Sequence, residues 1–414
     1  MKYRFYNARI LTPSELICGE VWVEDNIITY VGDSKKGGLF DREIDVKGNL
    51  LMPGLIDTHA HSGMTYMRGI SDDTDLETWL FGSIMPIEER MTYEDYYWSN
   101  MQSIKEYVRG GVTCCLDMYF NMKARYDTFV KSGFRLCACG GNTLADYDAY
   151  FRDYKTSDMF KIFIGLHSVY TTTEEDVKNV VELAHKYNTS ITVHTAETLK
   201  EVGDCVAKHN MTPIAYLDDY GLFTRPCICA HCVHLDDDDI QILLDNNVSI
   251  ASNPASNLKL GSGIASLYSL NKKGVNVCLG TDSAGSNNRL DMFNEMYLAS
   301  VLQKGVLHEP TAIEGNEAVR FATVNGAKAL GYDNLGEIKV GYLADLILVD
   351  LSEPNYQPLN NLAQSFVYSA NSKDVYLTMV NGKILYESGE YFLSEDADTI
   401  LENFKRCSDK LLNL

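Results

Sequence analysis

The stretch LLMPGLIDTHAHSGM, residues 50–64, decides how the chain is read. An apolar run from Leu50 to Ile56 is interrupted by Pro53-Gly54 and ends in Asp57-Thr58-His59-Ala60-His61. Side chains alternate along a strand, so His59 and His61 face the same way where the strand meets a loop. Two imidazoles so placed are half of a metal site, because neutral imidazole is the commonest metal ligand. Taken alone, the pair also fits two polar histidines at a strand end, and the rest of the chain must decide.

Working outward, the middle of the sequence alternates. Apolar strand candidates occur at 51–59, 112–119, 134–140, 161–167, 190–194, 226–231, 248–252 and 275–281, with helical patterns between them. Glu174 to Tyr187 carries Val177, Val180, Val181 and Ala184 on one stripe, and Asp237 to Asp245 carries Ile240, Leu243 and Leu244. Eight strands alternating with helices predict a (β/α)8 TIM barrel. A doubly wound sheet is the alternative, but no glycine fingerprint follows the first strand.

The two ends read differently. Residues 3–33 form short strand patterns with a turn at Asp25-Asn26. Strand patterns return at 343–351 and 375–392, the latter broken by Asn381-Gly382, a hairpin signal. The expected organisation is a composite β-sandwich domain from residues 1–52 and 340–414, the second part adding a C-terminal helix, around a catalytic barrel at 53–339. The acid run Asp236 to Asp239 reads as a helix start, with carboxylates favoured at the N-terminal end of the dipole. Residues 257–267 read as a glycine-bearing loop, not a phosphate cradle.

Composition narrows the function. The formal net charge of -21 over 414 residues opposes binding to nucleic acid or an anionic membrane surface. The N-terminus lacks the apolar core of a signal peptide, and no run approaches membrane-spanning length, so a cytoplasmic protein is expected. Among the eleven cysteines, Cys114-Cys115, Cys137-Ala-Cys139 and Cys227-Ile-Cys229 are not CxxC pairs, and PCIC at 226–229 is one residue short of a zinc-deaminase PCxxC. They are read as packing residues in a reducing compartment.

Barrel chemistry sits at the C-terminal ends of the strands. Those ends carry His59 and His61, His167, His194 followed by Glu197, His231, and Asp282. Three imidazoles and one carboxylate suit a single zinc-like ion that keeps a position for water. His59, His61, His194 and Asp282 are the expected ligands. A second metal needs a bridging group such as a modified lysine at a strand end, and Lys161 begins its strand.

The motifs PGLIDTHAH, VHTAE, AHCVHL, SNPASNLKLGSGIA and LGTDSAGSNN resemble the amidohydrolase superfamily. Within it they resemble the methylthioadenosine and S-adenosylhomocysteine deaminases, beside the triazine hydrolases. The resemblance implies one divalent metal, zinc or else iron, on the four ligands above. It implies that Glu197 moves a proton to the purine ring nitrogen while His231 stands beside the attacking water and Asp282 takes its proton. It also implies substrate contacts from His167, from Glu88 to the ribose hydroxyls, and from Arg152 and Ser286. The expected reaction is hydrolytic removal of the purine amino group from methylthioadenosine, 5′-deoxyadenosine, adenosine or S-adenosylhomocysteine, by a homodimer or homotetramer. The sequence departs from the pattern at Gly140, where deaminases that prefer S-adenosylhomocysteine carry an arginine. Two other readings stand beside this one: hydrolysis of a triazine, pterin, guanine or cytosine, and a non-catalytic barrel used as an assembly module.

Overall fold

A computed structural model of the chain describes residues 1–12, 15–140 and 145–412. The Pro53-Gly54 break divides the opening stretch between two sheets. Leu50–Pro53 pairs with Lys2–Leu11 and Leu346–Val349, whereas Leu55–Ala60 pairs with Val112–Met118. Gly54 sits at the crossover because a Cβ there would stand 2.2 Å from the Thr113 side chain. The expected single strand at 51–59 is therefore two.

The first sheet has nine strands drawn from both chain ends. Its order runs Glu390–Tyr391, Lys383–Glu387, Val375–Val380, Leu346–Val349, Leu50–Pro53, Lys2–Leu11, Leu16–Glu24 and Ile27–Gly32, with Arg42–Asp45 also on Lys2–Leu11. Two-residue turns join its hairpins at Asp25-Asn26 and Asn381-Gly382, and Asp25, Asn381 and Gly382 take the positive φ such turns demand.

The remaining strands run parallel. They are β1 (Leu55–Ala60), β2 (Val112–Met118), β3 (Arg135–Cys139), β4 in two pieces (Phe160–Ile162 and Ile164–Ser168), β5 (Ile191–Thr195), β6 (Cys227–His231), β7 (Ser249–Ser252) and β8 (Asn276–Leu279). β1, β2, β3 and the first piece of β4 form one sheet, and the second piece of β4 through β8 forms another. The two meet through β4 on one side; on the other, Ala60 at the end of β1 bridges Asp282 just past β8. β2 and β3 are buried at every position, as strands covered on both faces must be. The arrangement is mixed α/β of the TIM-barrel type.

The intervening helices begin where the polar signals placed them. Thr173 and Asp176 form a capping box at α1 (Glu174–Tyr187), and Asp236 and Asp239 do so at α2 (Asp237–Asp245). The acid run is thus a helix start. No helix among the described residues is long and apolar enough to cross a membrane. All eleven cysteines are free and ten are buried; Cys18 is exposed, on the end of Leu16–Glu24 that extends beyond its pairing with Ile27–Gly32, and is no packing residue.

Candidate active site

The C-terminal ends of β1, β5 and β6 and the turn after β8 converge on one point. His61 Nε2 lies 3.2 Å from His59 Nε2, 3.3 Å from His194 Nε2 and 3.1 Å from Asp282 Oδ1. Asp282 Oδ1 is also 3.5 Å from His59 Nε2. His59, His194 and His231 form a second, overlapping cluster of ligand atoms within 4.8 Å of one another. The ring orientations are imposed from behind. His61 Nδ1 donates to Met118 O and His194 Nδ1 donates to His167 O, each at 2.6 Å, which turns both Nε2 atoms inward.

Those donors fit a cation. A proton on one ring nitrogen can be shared with only one neighbour, so the other lone pairs would be left facing each other at 3.2–3.3 Å. A single divalent ion satisfies all of them at once. Burial supports the neutral imidazoles that such an ion needs: it draws His59 down to about 4 and His194 well below its usual range. For Asp282, burial works against the charge, but the neighbouring His59 and His61 outweigh it and hold the carboxylate ionised; the same carboxylate draws His61 above its usual range against the pull of burial. Lys161 Nζ donates to Leu330 O and Gly331 O at the opposite end of its strand and is no bridging group.

The backbone at this point is strained and tightly packed. Ala196, His231 and Asp282 have positive φ of 51°, 71° and 59°, a conformation that costs energy for residues other than glycine and that the surrounding packing holds here. Asp57 ties the ends of β1 and β8 together, accepting from Thr281 N at 3.0 Å and Thr281 Oγ1 at 2.5 Å. Ser256 and Ser286 both donate to Asp282 Oδ2, at 2.5 and 2.9 Å.

Glu197 lies beside the cluster, accepting from Ser262 Oγ at 3.0 Å and standing 3.8 Å from His231 Nε2. Burial raises its carboxyl above the usual range. His231 Nδ1 donates to Asn257 Oδ1 at 2.7 Å, so its Nε2 faces the site. Glu201 grips the turn that carries Glu197, accepting from Ala196 N at 3.1 Å and Glu197 N at 2.8 Å.

A cavity of about 510 Å³ opens onto these groups, and His61, Glu88, His167, His194, Glu197, His231 and Asp282 all line it. Trp79, Leu80 and Met85, from the segment after β1, cover one side. Glu88 accepts from Tyr119 Oη at 2.6 Å, and burial raises its carboxyl. His167 shows its ring to the cavity while Nδ1 meets Thr171 Oγ1 at 2.8 Å.

Two expected contacts are not brought there. Arg152 is exposed and paired with Asp153 at 2.8 Å, on the solvent side of helix Asp146–Asp153. Ser286 is fully buried behind Asp282, and its hydroxyl is committed to that carboxylate. The sequence reading missed the supporting groups Ser256, Asn257, Ser262 and Glu201. Ser256, Asn257 and Ser262 lie within the motif SNPASNLKLGSGIA, which gives them no individual role, and Glu201 stands as an acid four residues beyond Glu197 in the first turn of a helix.

Comparisons with known proteins agree in direction. The model of the amidohydrolase family matches residues 50–385. The chain is similar to a 5-methylthioadenosine/S-adenosylhomocysteine deaminase of Acetivibrio thermocellus, 41% identical over 407 residues and covering 94% of each chain. It is 39% identical over 400 residues to a 5′-deoxyadenosine deaminase of Methanothermobacter thermautotrophicus, covering 94% of this chain and 93% of that one. Among solved structures, an adenosine deaminase from Xanthomonas campestris with bound zinc superimposes with a TM-score of 0.93 at 29% identity, covering 100% of this chain and 99% of the other.

Proposed function

The chain belongs to the amidohydrolase family, and from that premise we propose that it is a metal-dependent hydrolytic deaminase of adenosine-like nucleosides, releasing ammonia from the purine amino group. One observation carries the reading: three imidazole nitrogens and a carboxylate oxygen converge at one end of a cavity that also presents a buried acid, Glu197. The deaminases to which the chain is similar support the substrate class.

In this reading His59, His61, His194 and Asp282 hold one divalent ion, zinc by preference and iron as the alternative. When bound, such an ion supplies Lewis acidity that lowers the pKa of water toward neutrality. Asp282 takes the proton of the attacking water, its Oδ2 fixed by Ser256 and Ser286 so that Oδ1 faces the imidazoles. His231, anchored by Asn257, keeps that water in line. Glu197 carries a proton to the ring nitrogen, which makes the adjacent carbon electrophilic, and the amine departs as ammonia once protonated. A carboxyl raised by burial suits this donor, and general acid–base help is worth roughly 10²–10⁴-fold. His167 meets the purine, and Glu88 accepts from the ribose hydroxyls, a role with no counterpart in hydrolysis of a free base or triazine.

The same reading takes the eight parallel strands as one closed barrel spanning 53–339. It takes residues 1–52 and 340–414 as the two parts of a composite β-sandwich domain; the mixing of both ends in the nine-stranded sheet supports that division. A cytoplasmic, homo-oligomeric enzyme completes it, the eleven free cysteines favouring a reducing compartment.

The test is ammonia release by zinc-loaded protein from adenosine, 5′-deoxyadenosine, methylthioadenosine and S-adenosylhomocysteine, beside adenine, guanine and cytosine. Turnover of the nucleosides is expected. Turnover confined to free bases would refute the reading, and no turnover alongside no bound metal would return the chain to an assembly module.

A further inference from the structure

Apart from the proposed metal ion, no lysine or arginine among the described residues brings a positive charge to the cavity. Its described lining includes the carboxylates Glu88, Asp176, Glu197 and Asp282 but neither lysine nor arginine. The stretch 141–144, next to it in sequence, reads Gly-Asn-Thr-Leu and brings none. Arg125 approaches the end of β3 but is fully buried there, and its charge is paired with Asp117 Oδ2 at 3.4 Å. Its Nη1 donates to Asp117 O at 2.9 Å and Cys139 O at 2.6 Å, and its Nη2 to Gly140 O at 3.2 Å. Arg152 is turned to solvent on Asp153.

Nor is Gly140 an empty seat for a basic side chain. Its φ is +87°, and a Cβ would stand 2.8 Å from Tyr119 O. Beside it stands a neutral group, Tyr147, whose hydroxyl accepts from Gly140 N at 2.8 Å and from Gly165 N at 2.7 Å. With both lone pairs engaged, the phenol can only donate its single proton, and its residue lines the cavity. Asp176, the one acid here that lies at a helix start, is committed to capping, accepting from Thr173 N and Thr173 Oγ1.

We infer, resting on the deaminase reading above, that this cavity selects nucleosides whose 5′ substituent is uncharged, such as an alkyl, thioether or hydroxyl group, and discriminates against a zwitterionic amino-acid tail. A tail carboxylate held in this space away from the metal end would be desolvated with no lysine or arginine among the described residues to pair it, and would lie among carboxylates of the same sign. The neutral Tyr147 proton does not balance a full charge.

The experiment compares kcat/KM of the metal-loaded protein for methylthioadenosine, S-adenosylhomocysteine and 5′-butylthioadenosine. The butyl tail has about the reach of the homocysteine tail but neither of its charges. The expected result is that the methylthio and butylthio compounds agree within about tenfold while S-adenosylhomocysteine falls at least about tenfold below both. S-adenosylhomocysteine at less than that disadvantage overturns the inference. So does a butylthio compound that falls together with it, since length and not charge would then be read. Failure of all three nucleosides, with turnover of a free base, refutes the deaminase reading and removes this inference with it.

Discussion

Replacing Gly280 by alanine tests how finely backbone packing holds the histidine cluster. Gly280 directly follows β8, and a methyl group there would stand 2.5 Å from Asn253 Oδ1, 2.7 Å from His59 O and 2.8 Å from His59 Cβ. Ordinary contact begins at 3.4 Å, so these approaches fall short by about 0.6 to 0.9 Å. Two of the three fall on His59 itself. The His59 carbonyl also accepts from Asp282 N at 2.9 Å, so pushing it aside moves two of the proposed ligands together. Overpacking of this kind costs about 1–3 kcal/mol of stability. Misaligned ligands should weaken metal retention by roughly 10–100-fold, the usual scale for disturbing the groups that orient a site. Gly203 supplies the control. It lies inside helix Leu199–His209 with nothing within 4 Å of an added Cβ, so Gly203→Ala should stabilise by about 0.5–1 kcal/mol. The assays are metal content after dialysis against chelators of graded strength and the urea midpoint of each variant. Wild-type metal retention and midpoint in Gly280→Ala would refute the reasoning.

Three further outcomes are expected. Glu197→Gln should keep about one metal per chain and lose roughly 10²–10⁴ in kcat with little change in KM; loss of the metal instead would make Glu197 a ligand. Ser286→Ala removes a hydrogen bond to a charged oxygen of Asp282, a contribution of about 1.5–3 kcal/mol, so chelator competition should move while KM holds; a KM effect with unchanged metal retention would restore Ser286 as a substrate contact. Glu295 is fully buried between Ala255 N and Asn287 Nδ2, and burial pushes its carboxyl up to about 8. Between its ordinary value and about 8 the unfolded chain releases this proton and the folded one keeps it, so stability falls as pH rises, by up to about 1.4 kcal/mol per unit. Urea midpoints of Glu295→Gln from pH 5 to 8 should decline less steeply than those of the wild type, and parallel slopes would count against that assignment.

Much of the architecture was legible because it depends on patterns local in sequence. Apolar runs fixed all eight parallel strands, since strands covered on both faces have no polar side to conceal them. Asn381-Gly382 and the Asp236 cap were readable because turn and cap chemistry needs particular residues at particular offsets. The errors came where one run serves two neighbours. Residues 51–59 read as one strand, yet Gly54 passes so close to Thr113 that the halves leave for different sheets. The run read at 161–167 likewise divides around Phe163, pairing with β3 before it and β5 after it.

The site divides along the same line. The positions of its histidines and acids were readable from strand ends, but the direction each side chain takes was not. His61 and His194 are aimed by Met118 O and His167 O, which are main-chain atoms and would be there whatever residues occupied those positions. What supplies them is the neighbouring strand, so the HxH motif makes a cluster only because β2 lies beside β1 and β4 beside β5. Arg152 and Ser286 mark the other limit. Each sits in the right stretch of sequence, yet a carboxylate one residue away takes the guanidinium and Asp282 takes the hydroxyl. Nearness in sequence to a strand end gives a side chain access to the cavity only when no closer partner claims it. That condition leaves Glu88, His167 and Glu197 facing the cavity, and it leaves the region around Gly140 with a phenol where a charge would otherwise be sought.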